Sequence, residues 1–208
     1  MIIAIDGAST DLSLAVAHPD GTLLGDDAWS SAQRQSAELL PHLLALLVQV
    51  ERPLHDATAV AVGSGPGSFT GLRVAMALAK GLAVGLRIPI VGTPSLEAWL
   101  DADPDATAAV ARAGAREAYL LARGDDLPRI VDRDALDPAA VVVAATELAT
   151  AFGLTAARRP RGAPAIARRA AERLAVDPAG DDLRTLEPIY LRAPRGVTAQ
   201  SGELVRWL

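Results

Sequence analysis

The chain has 208 residues, half of them apolar, with a formal net charge of −5 at pH 7 and a pI near 5.2. That length supports one substantial core or two small ones, and the acidic balance excludes a protein that grips nucleic acid by a broad basic surface of its own, because phosphate affinity needs clustered Lys and Arg. Cysteine is absent, which excludes disulfides, thiolate metal sites and a cysteine nucleophile and fits a reducing compartment.

Ile2 to Asp6 is a β-branched run closed by the polar turn Gly7-Ala8-Ser9-Thr10, the pattern of a central strand. Asp6 arrives too early for a signal peptide and no basic leader precedes it, so a cytoplasmic location is expected. Leu12 to Ala17 alternates, His18-Pro19-Asp20-Gly21 supplies hairpin chemistry, and Thr22 to Trp29 returns as a third strand. A helix follows over 36–50. Its apolar positions fall in two adjoining stripes, Leu39/Leu43/Leu46/Val50 and Leu40/Leu44/Leu47, more than one sheet face requires. Pro41 has to lie in its first turn or kink it.

Ala57 to Val62 reads as a short buried strand, and Gly63-Ser64-Gly65-Pro66-Gly67-Ser68-Phe69-Thr70-Gly71-Leu72-Arg73 as the turn from that strand into a long helix, 70–86. Gly63, Gly65, Gly67 and Gly71 form a structural turn closed to bulkier residues, and Ser68 or Thr70 can cap the free N–H groups that begin the helix. Such a turn either cradles an anion or brings two backbones together. The helix is apolar nearly all round: Leu72, Ala75, Met76, Ala79 and Leu82 line one side, Val74, Leu78 and Gly85 another, and Arg73, Ala77 and Lys80 make its polar strip. Fully burying a leucine is worth roughly 1.5–3 kcal/mol, so two helices with surplus apolar stripes call for a cover, either a partner surface or the second half of the chain. Arg73, Lys80 and Arg87 with repeated glycines argue for a buried helix over a membrane span. Ile88 to Val91 completes the order βββαβαβ.

After a short helix at Ser95 to Leu100, the Asp- and Pro-rich segment 101–107 is the internal boundary, giving an N-terminal unit 1–103 with the interface helices and a smaller second unit 104–208. Ala108 to Ala113 and Glu117 to Ala122 read as paired strands, with Arg129-Ile130-Val131 as a third. Val141 to Val143 fits a strand or the opening of a helix through Leu148. Arg158 to Pro164 is a loop, and Ala165 to Val176 a helix whose Arg168, Arg169 and Arg173 read as a solvated face. The tail Leu186 to Arg192 is an apolar segment that docks back onto the body.

Catalytic groups are few in these stretches. Asp6-Gly7 with Ser9-Thr10 could serve a first phosphate loop with Asp6 as Mg²⁺ ligand, or Asp6 could simply cap a turn. The glycine turn lacks the Walker lysine, and Pro66 removes a backbone donor from any dinucleotide-type loop. His18, His42 and His55 are scattered, without the paired spacing of a metallohydrolase, and no Gly-x-Ser-x-Gly elbow occurs. The pattern is that of a scaffold with an enzyme-like fold.

The nonapeptide Gly65-Pro66-Gly67-Ser68-Phe69-Thr70-Gly71-Leu72-Arg73 resembles the signature of the TsaB (YeaZ) family, subunits of the bacterial complex that installs threonylcarbamoyl on adenosine 37 of tRNA. Ile3-Ala4-Ile5-Asp6, Leu39-Leu40-Pro41, Glu117-Ala118-Tyr119 and Glu187-Pro188-Ile189-Tyr190-Leu191-Arg192 extend the likeness along the chain. Gln35-Ser36 and Arg112-Ala113-Gly114 depart from the family pattern, and 124–186 diverges. The resemblance implies an α/β, actin-like (ASKHA, ribonuclease H-like) fold of two related subdomains, each a mixed sheet flanked by helices. It implies a noncatalytic subunit that pairs with the catalytic TsaD through helices 36–50 and 70–86. The residues it marks for that interface are Leu39, Leu40, Leu43, Leu44, Leu47, Phe69, Leu72, Arg73, Met76 and Lys80. The ATPase TsaE joins the pair, tRNA is met through the complex, and a homodimer is possible when the partner is missing. No cofactor belongs to the chain itself, a nucleotide being possible at the complex interface, and no membrane is involved. Leu43→Glu is expected to abolish pairing and leave the subunit folded. The alternative is an actin-like ATPase or small-molecule kinase using Asp6, and a third reading is a metallopeptidase akin to TsaD.

Overall fold

The computed structural model describes residues 1–31 and 33–191. The first sheet contains β1 (Ile2–Asp6), β2 (Asp11–Ala17), β3 (Leu23–Ser30), β4 (Ala59–Gly65) and β5 (Ile90–Pro94), in spatial order β3-β2-β1-β4-β5. β1, β2 and β3 are an antiparallel meander, whereas β4 pairs parallel with β1 and β5 parallel with β4. Parallel neighbours need long crossovers, supplied by α1 (Gln35–Gln49) and α2 (Phe69–Leu86).

Both faces of this sheet are covered, and the strands sort their side chains by size between them. Ile3, Ile5, Leu12, Leu14, Val16, Val60 and Val62 point into a core shared with α1 and α2. Ile2, Ala4, Ala15, Ala17, Ala59 and Ala61 point the other way, onto the alanines of α5 (Ala163–Val176). Large residues thus meet the leucine-rich helices, while alanine against alanine brings α5 close to the sheet.

The second sheet repeats the first. β6 (Ala108–Arg112), β7 (Glu117–Ala122) and β8 (Arg129–Asp132) form another antiparallel meander, and β9 (Val142–Ala144) and β10 (Ala157–Arg158) add in parallel on the β6 side. Two mixed sheets of one topology, each flanked by helices, are the actin-like architecture. The ambiguous segment 141–148 is both of its alternatives in turn: β9, then α4 (Thr146–Phe152).

The helices do not respect the order of the sheets. α3 (Ser95–Ala102) follows the first sheet yet buries Leu96, Trp99 and Leu100 among Ala109, Ala111, Tyr119, Leu121 and Val143 of the second. α5 follows the second sheet and covers the first. A cut at 103/104 therefore separates the strands of the two sheets but not their helices. Where α3 and α5 meet, Arg169 binds Asp101 at 2.6 Å and Glu97 at 2.6 Å, and Arg168 binds Asp101 at 3.0 Å. The arginines expected on a solvated face instead tie α5 to α3, and Arg173 pairs with Asp181. Burial works against the charge on Asp101, but the hydrogen bonds and charges of Arg169 and Arg168 outweigh it and hold that carboxyl below its usual range.

Several boundaries move. β4 runs through Gly65, so Gly63 and Gly65 belong to a strand and only residues 66–68 form the turn. Pro41 sits inside α1, beyond its first turn; it lies on the exposed side, where water can reach the carbonyl left without an intrahelical donor. α2 is long and apolar enough by composition to cross a membrane, but its Leu72, Ala75, Met76, Ala79 and Ala83 are buried in the core. The tail crosses from β5 to α2, with Leu186 packed against the core and the Ile189 N–H donating to the Ser64 carbonyl at 2.7 Å. Arg192 lies outside the described residues.

Candidate functional site

The glycine turn meets the loop after β1. The Ser68 N–H donates to the Ala8 carbonyl at 2.7 Å, and the Gly71 N–H donates to the Ser68 side chain at 3.2 Å, which makes Ser68 the cap of α2. A Cβ on Gly7 would stand 2.6 Å from the Gly71 carbonyl oxygen, and one on Gly67 or Gly71 would enter the Ala8 or Gly7 carbonyl. The two loops that would flank a phosphate are therefore pressed together. Glycine is required here for close approach of two backbones.

Asp6 lies beneath this joint, 2% exposed. Its carboxylate accepts from Trp99 Nε1 at 2.5 Å, Ser95 Oγ at 3.0 Å and the Ala8 N–H at 3.2 Å, so it fastens the end of β1 to α3. Ser95 Oγ in turn accepts from the Gly65 N–H at 3.1 Å, and a Cβ on Gly63 would stand 2.5 Å from it. Burial pushes the Asp6 carboxyl above its ordinary range, opposed by the hydrogen bonds from Trp99, Ser95 and Ala8. As the Mg²⁺ ligand of a kinase, Asp6 would have to turn away from these three donors.

Between the two sheets, above the joint, is a cleft of about 520 Å³ lined by Ser9, Thr10, Phe69, Thr70, Arg112 and Tyr119. Ser9 is turned back on its own loop, donating to the Asp11 carbonyl at 2.8 Å, and Arg112 pairs with Glu147 at 3.1 Å. Asp11, with its side chain 1% exposed, ties the sheets together: it accepts from the Thr146 N–H at 2.8 Å, Thr146 Oγ1 at 3.2 Å and Arg159 at 2.9 Å, and from Ser30.

The two helices marked by the sequence stand side by side over the first sheet, and the structure divides their marked residues. Leu39, Leu43, Leu47, Leu72 and Met76 are buried in the chain's own core and offer nothing to a partner. Leu40 is 42% exposed, Leu44 46% and Phe69 42%. Arg73 is also exposed, and Lys80 half-buried. Sequence reasoning missed Val48 and Val84, at 79% and 63% exposure, together with Ala37, Pro41, Ala45 and Ala77. Those α1 positions continue the Leu40/Leu44 stripe at helical spacing. The signal was present, but two equally apolar stripes gave no means of telling inside from outside.

The orientation is fixed by polar contacts at the rim. His42 stacks on Trp29 with ring centroids 3.7 Å apart and its Nδ1 lies 2.6 Å from Asp27, while Trp29 Nε1 donates to Glu38 at 3.1 Å. These contacts clamp α1 to β3. At the other end of the face, the Arg73 guanidinium lies 4.2 Å above the Phe69 ring and donates to the Tyr190 hydroxyl at 3.3 Å. The result is an outward strip of α1 without a charge, Ala37, Leu40, Pro41, Leu44, Ala45 and Val48, and on the neighbouring helix α2 Ala77 and Val84 are exposed as well.

A family model described as TsaD, tRNA N6-adenosine threonylcarbamoyltransferase, matches residues 30–183. TsaB of Escherichia coli K12, a tRNA threonylcarbamoyladenosine biosynthesis protein, is 36% identical over 96 residues, 46% of this chain and 40% of that protein. YeaZ from Pseudomonas aeruginosa superposes with a TM-score of 0.66 at 21% identity, covering 91% of this chain and 99% of its own. The chain belongs to the TsaB (YeaZ) family. An uncharacterized protein of Mycobacterium tuberculosis H37Rv is 34% identical over 200 residues, covering 93% of this TsaB-family chain and 92% of its own length. The TsaB (YeaZ) family is involved in tRNA threonylcarbamoyladenosine biosynthesis.

Proposed function

We propose that this chain is the noncatalytic TsaB subunit, which pairs with the catalytic TsaD subunit through the outward faces of α1 and α2 and so serves threonylcarbamoylation of adenosine 37 in tRNA. The observation that carries the reading is the uncharged strip Ala37, Leu40, Pro41, Leu44, Ala45 and Val48, with Ala77 and Val84 exposed on the neighbouring helix. A contiguous apolar face of this kind on a folded chain marks a place where another protein sits. The small side chains of Ala77, Gly81 and Gly85 along α2 allow close approach. In this reading TsaE joins the pair, tRNA is met through the complex in the cytoplasm, the subunit contact is where a nucleotide could sit, and the same strip can make a homodimer when TsaD is missing. An ATPase or kinase would need an open phosphate cradle and an available Asp6; the contact between the loops and the three donors on Asp6 favour the docking role.

Leu44→Asp and Leu43→Asp test this side by side. Leu44 is half-exposed and Leu43 fully buried, so the first variant is expected to fold and to lose co-purification with TsaD, and the second to unfold. Full recovery of TsaD on a folded Leu44→Asp/Val48→Asp variant would sink the proposal.

A further inference from the structure

Most of the described cations of this chain are neutralised internally. Every described arginine except Arg73, Arg87 and Arg123 has a carboxylate oxygen within 4.0 Å. Arg123 is satisfied by the carbonyls of Leu100, Asp103 and Ala106 at 2.8–2.9 Å. Lys80 is the one lysine, and it too has no carboxylate partner among the described residues. Arg73, Lys80 and Arg87 therefore stand apart from the rest, and they lie on or at the end of the same helix. Their spacing is seven residues, two helical turns, so they follow one flank of α2 at intervals of about 10 Å. Lys80 lies three residues after Ala77 and four before Val84 on α2, so this flank borders the exposed apolar positions of that helix.

A chain of net charge −5 that pairs its other described cations and leaves a row of three beside an apolar face is complementary to a particular kind of surface. Resting on the docking reading above, we propose that this row selects the occupant: a partner face whose apolar centre is bordered by carboxylates at matching two-turn intervals, in preference to a second copy of this chain. A second copy supplies the same three cations, and α1 and α2 together contain one acid, Glu38, which is already held by Trp29 and Arg34. Apolar contact attracts either occupant. The charge row favours the acidic one and repels the copy, and rim charges act mainly on the rate of encounter and on its salt dependence.

The test compares wild type, Lys80→Gln/Arg87→Gln and Lys80→Glu/Arg87→Glu for binding to TsaD at low and high salt. Both residues are at least partly exposed and have no carboxylate partner among the described residues, so the variants are expected to keep the wild-type circular dichroism and melting profile. At about 50 mM NaCl the charge-reversed variant should bind on the order of tenfold more weakly, mostly through slower association, with the neutral variant between. At about 0.5 M, where the Debye length falls to roughly 4 Å, the three should converge. Wild-type self-association should strengthen with salt over the same range, and that rise should be missing from the neutral variant. Equal affinities for TsaD at low salt, with Leu44→Asp still preventing binding, overturn the charge row and leave the docking face standing. If Leu44→Asp also binds normally, the docking face falls with it.

Discussion

Gly71 and Gly81 lie ten residues apart in α2 and separate the two roles glycine has there. At Gly81 a Cβ has nothing within 4 Å, so alanine supplies only its better helix propensity. That gain is roughly 0.5–1 kcal/mol. Gly71 is in the first turn of the same helix, and propensity alone favours alanine there too. Its Cβ, however, would enter the carbonyl of Gly7 and come within 3.2 Å of the Ser68 oxygen that caps the helix. Neither neighbour is the loose end of a long side chain. Overpacking costs about 1–3 kcal/mol and loss of a cap about 0.5–2 kcal/mol, so sterics prevails and the net loss is about 1–4 kcal/mol. In a chain of this size each kcal/mol moves Tm by roughly 2–4 °C. Thermal melts followed by circular dichroism should show Gly81→Ala raised by about 1–4 °C and Gly71→Ala lowered by about 2 °C or more. A rise for both variants would refute the loop-to-loop joint, and with it the physical reason given for the glycine signature.

Two further perturbations address the buried carboxylates. Asp6 has a raised pKa in the folded chain, so folding binds its proton more tightly than the unfolded chain does, and its contribution to stability is full below the unfolded pKa and declines as pH rises through the folded one. The stability of wild type minus that of Asp6→Asn, from urea melts between about pH 4 and pH 8, should fall with rising pH and then level; a difference that climbs with pH contradicts this. Asp11→Ala removes the acceptor of Thr146 and Arg159 and should cost about 2–4 kcal/mol, with faster amide exchange at Thr146, whose N–H it holds. Unchanged exchange at that amide would count against Asp11 as the tie between the sheets.

Much of the first sheet could be read directly because its signals are local. β-branched runs, a Pro-Asp-Gly hairpin and helical apolar spacing placed β1 to α2 within a few residues. The second sheet was harder, since alanine carries little preference; Val142 to Ala144 became a strand only because it pairs with β6 and β10. Gly65-Pro66-Gly67-Ser68-Phe69-Thr70-Gly71 was legible as a turn of special geometry, though not which backbone it approaches: the partner, Gly7-Ala8, lies some sixty residues away in sequence.

The sequence by itself determined the family, the mixed α/β character and the fact that α1 and α2 carry more apolar surface than one sheet face can take. It did so because composition, spacing and a specific nonapeptide are properties of the chain alone. Only the tertiary structure decided which stripe of α1 faces in. Leu39/Leu43 and Leu40/Leu44 differ by about 100° around one helix and not at all in chemistry, so the choice is made by the clamp of Trp29, His42 and Asp27 against β3. The same holds for the charges. Arg168 and Arg169 look as free in the sequence as Lys80 and Arg87, and they are neutralised because α5 crosses back to meet α3, a contact between segments that local spacing does not predict.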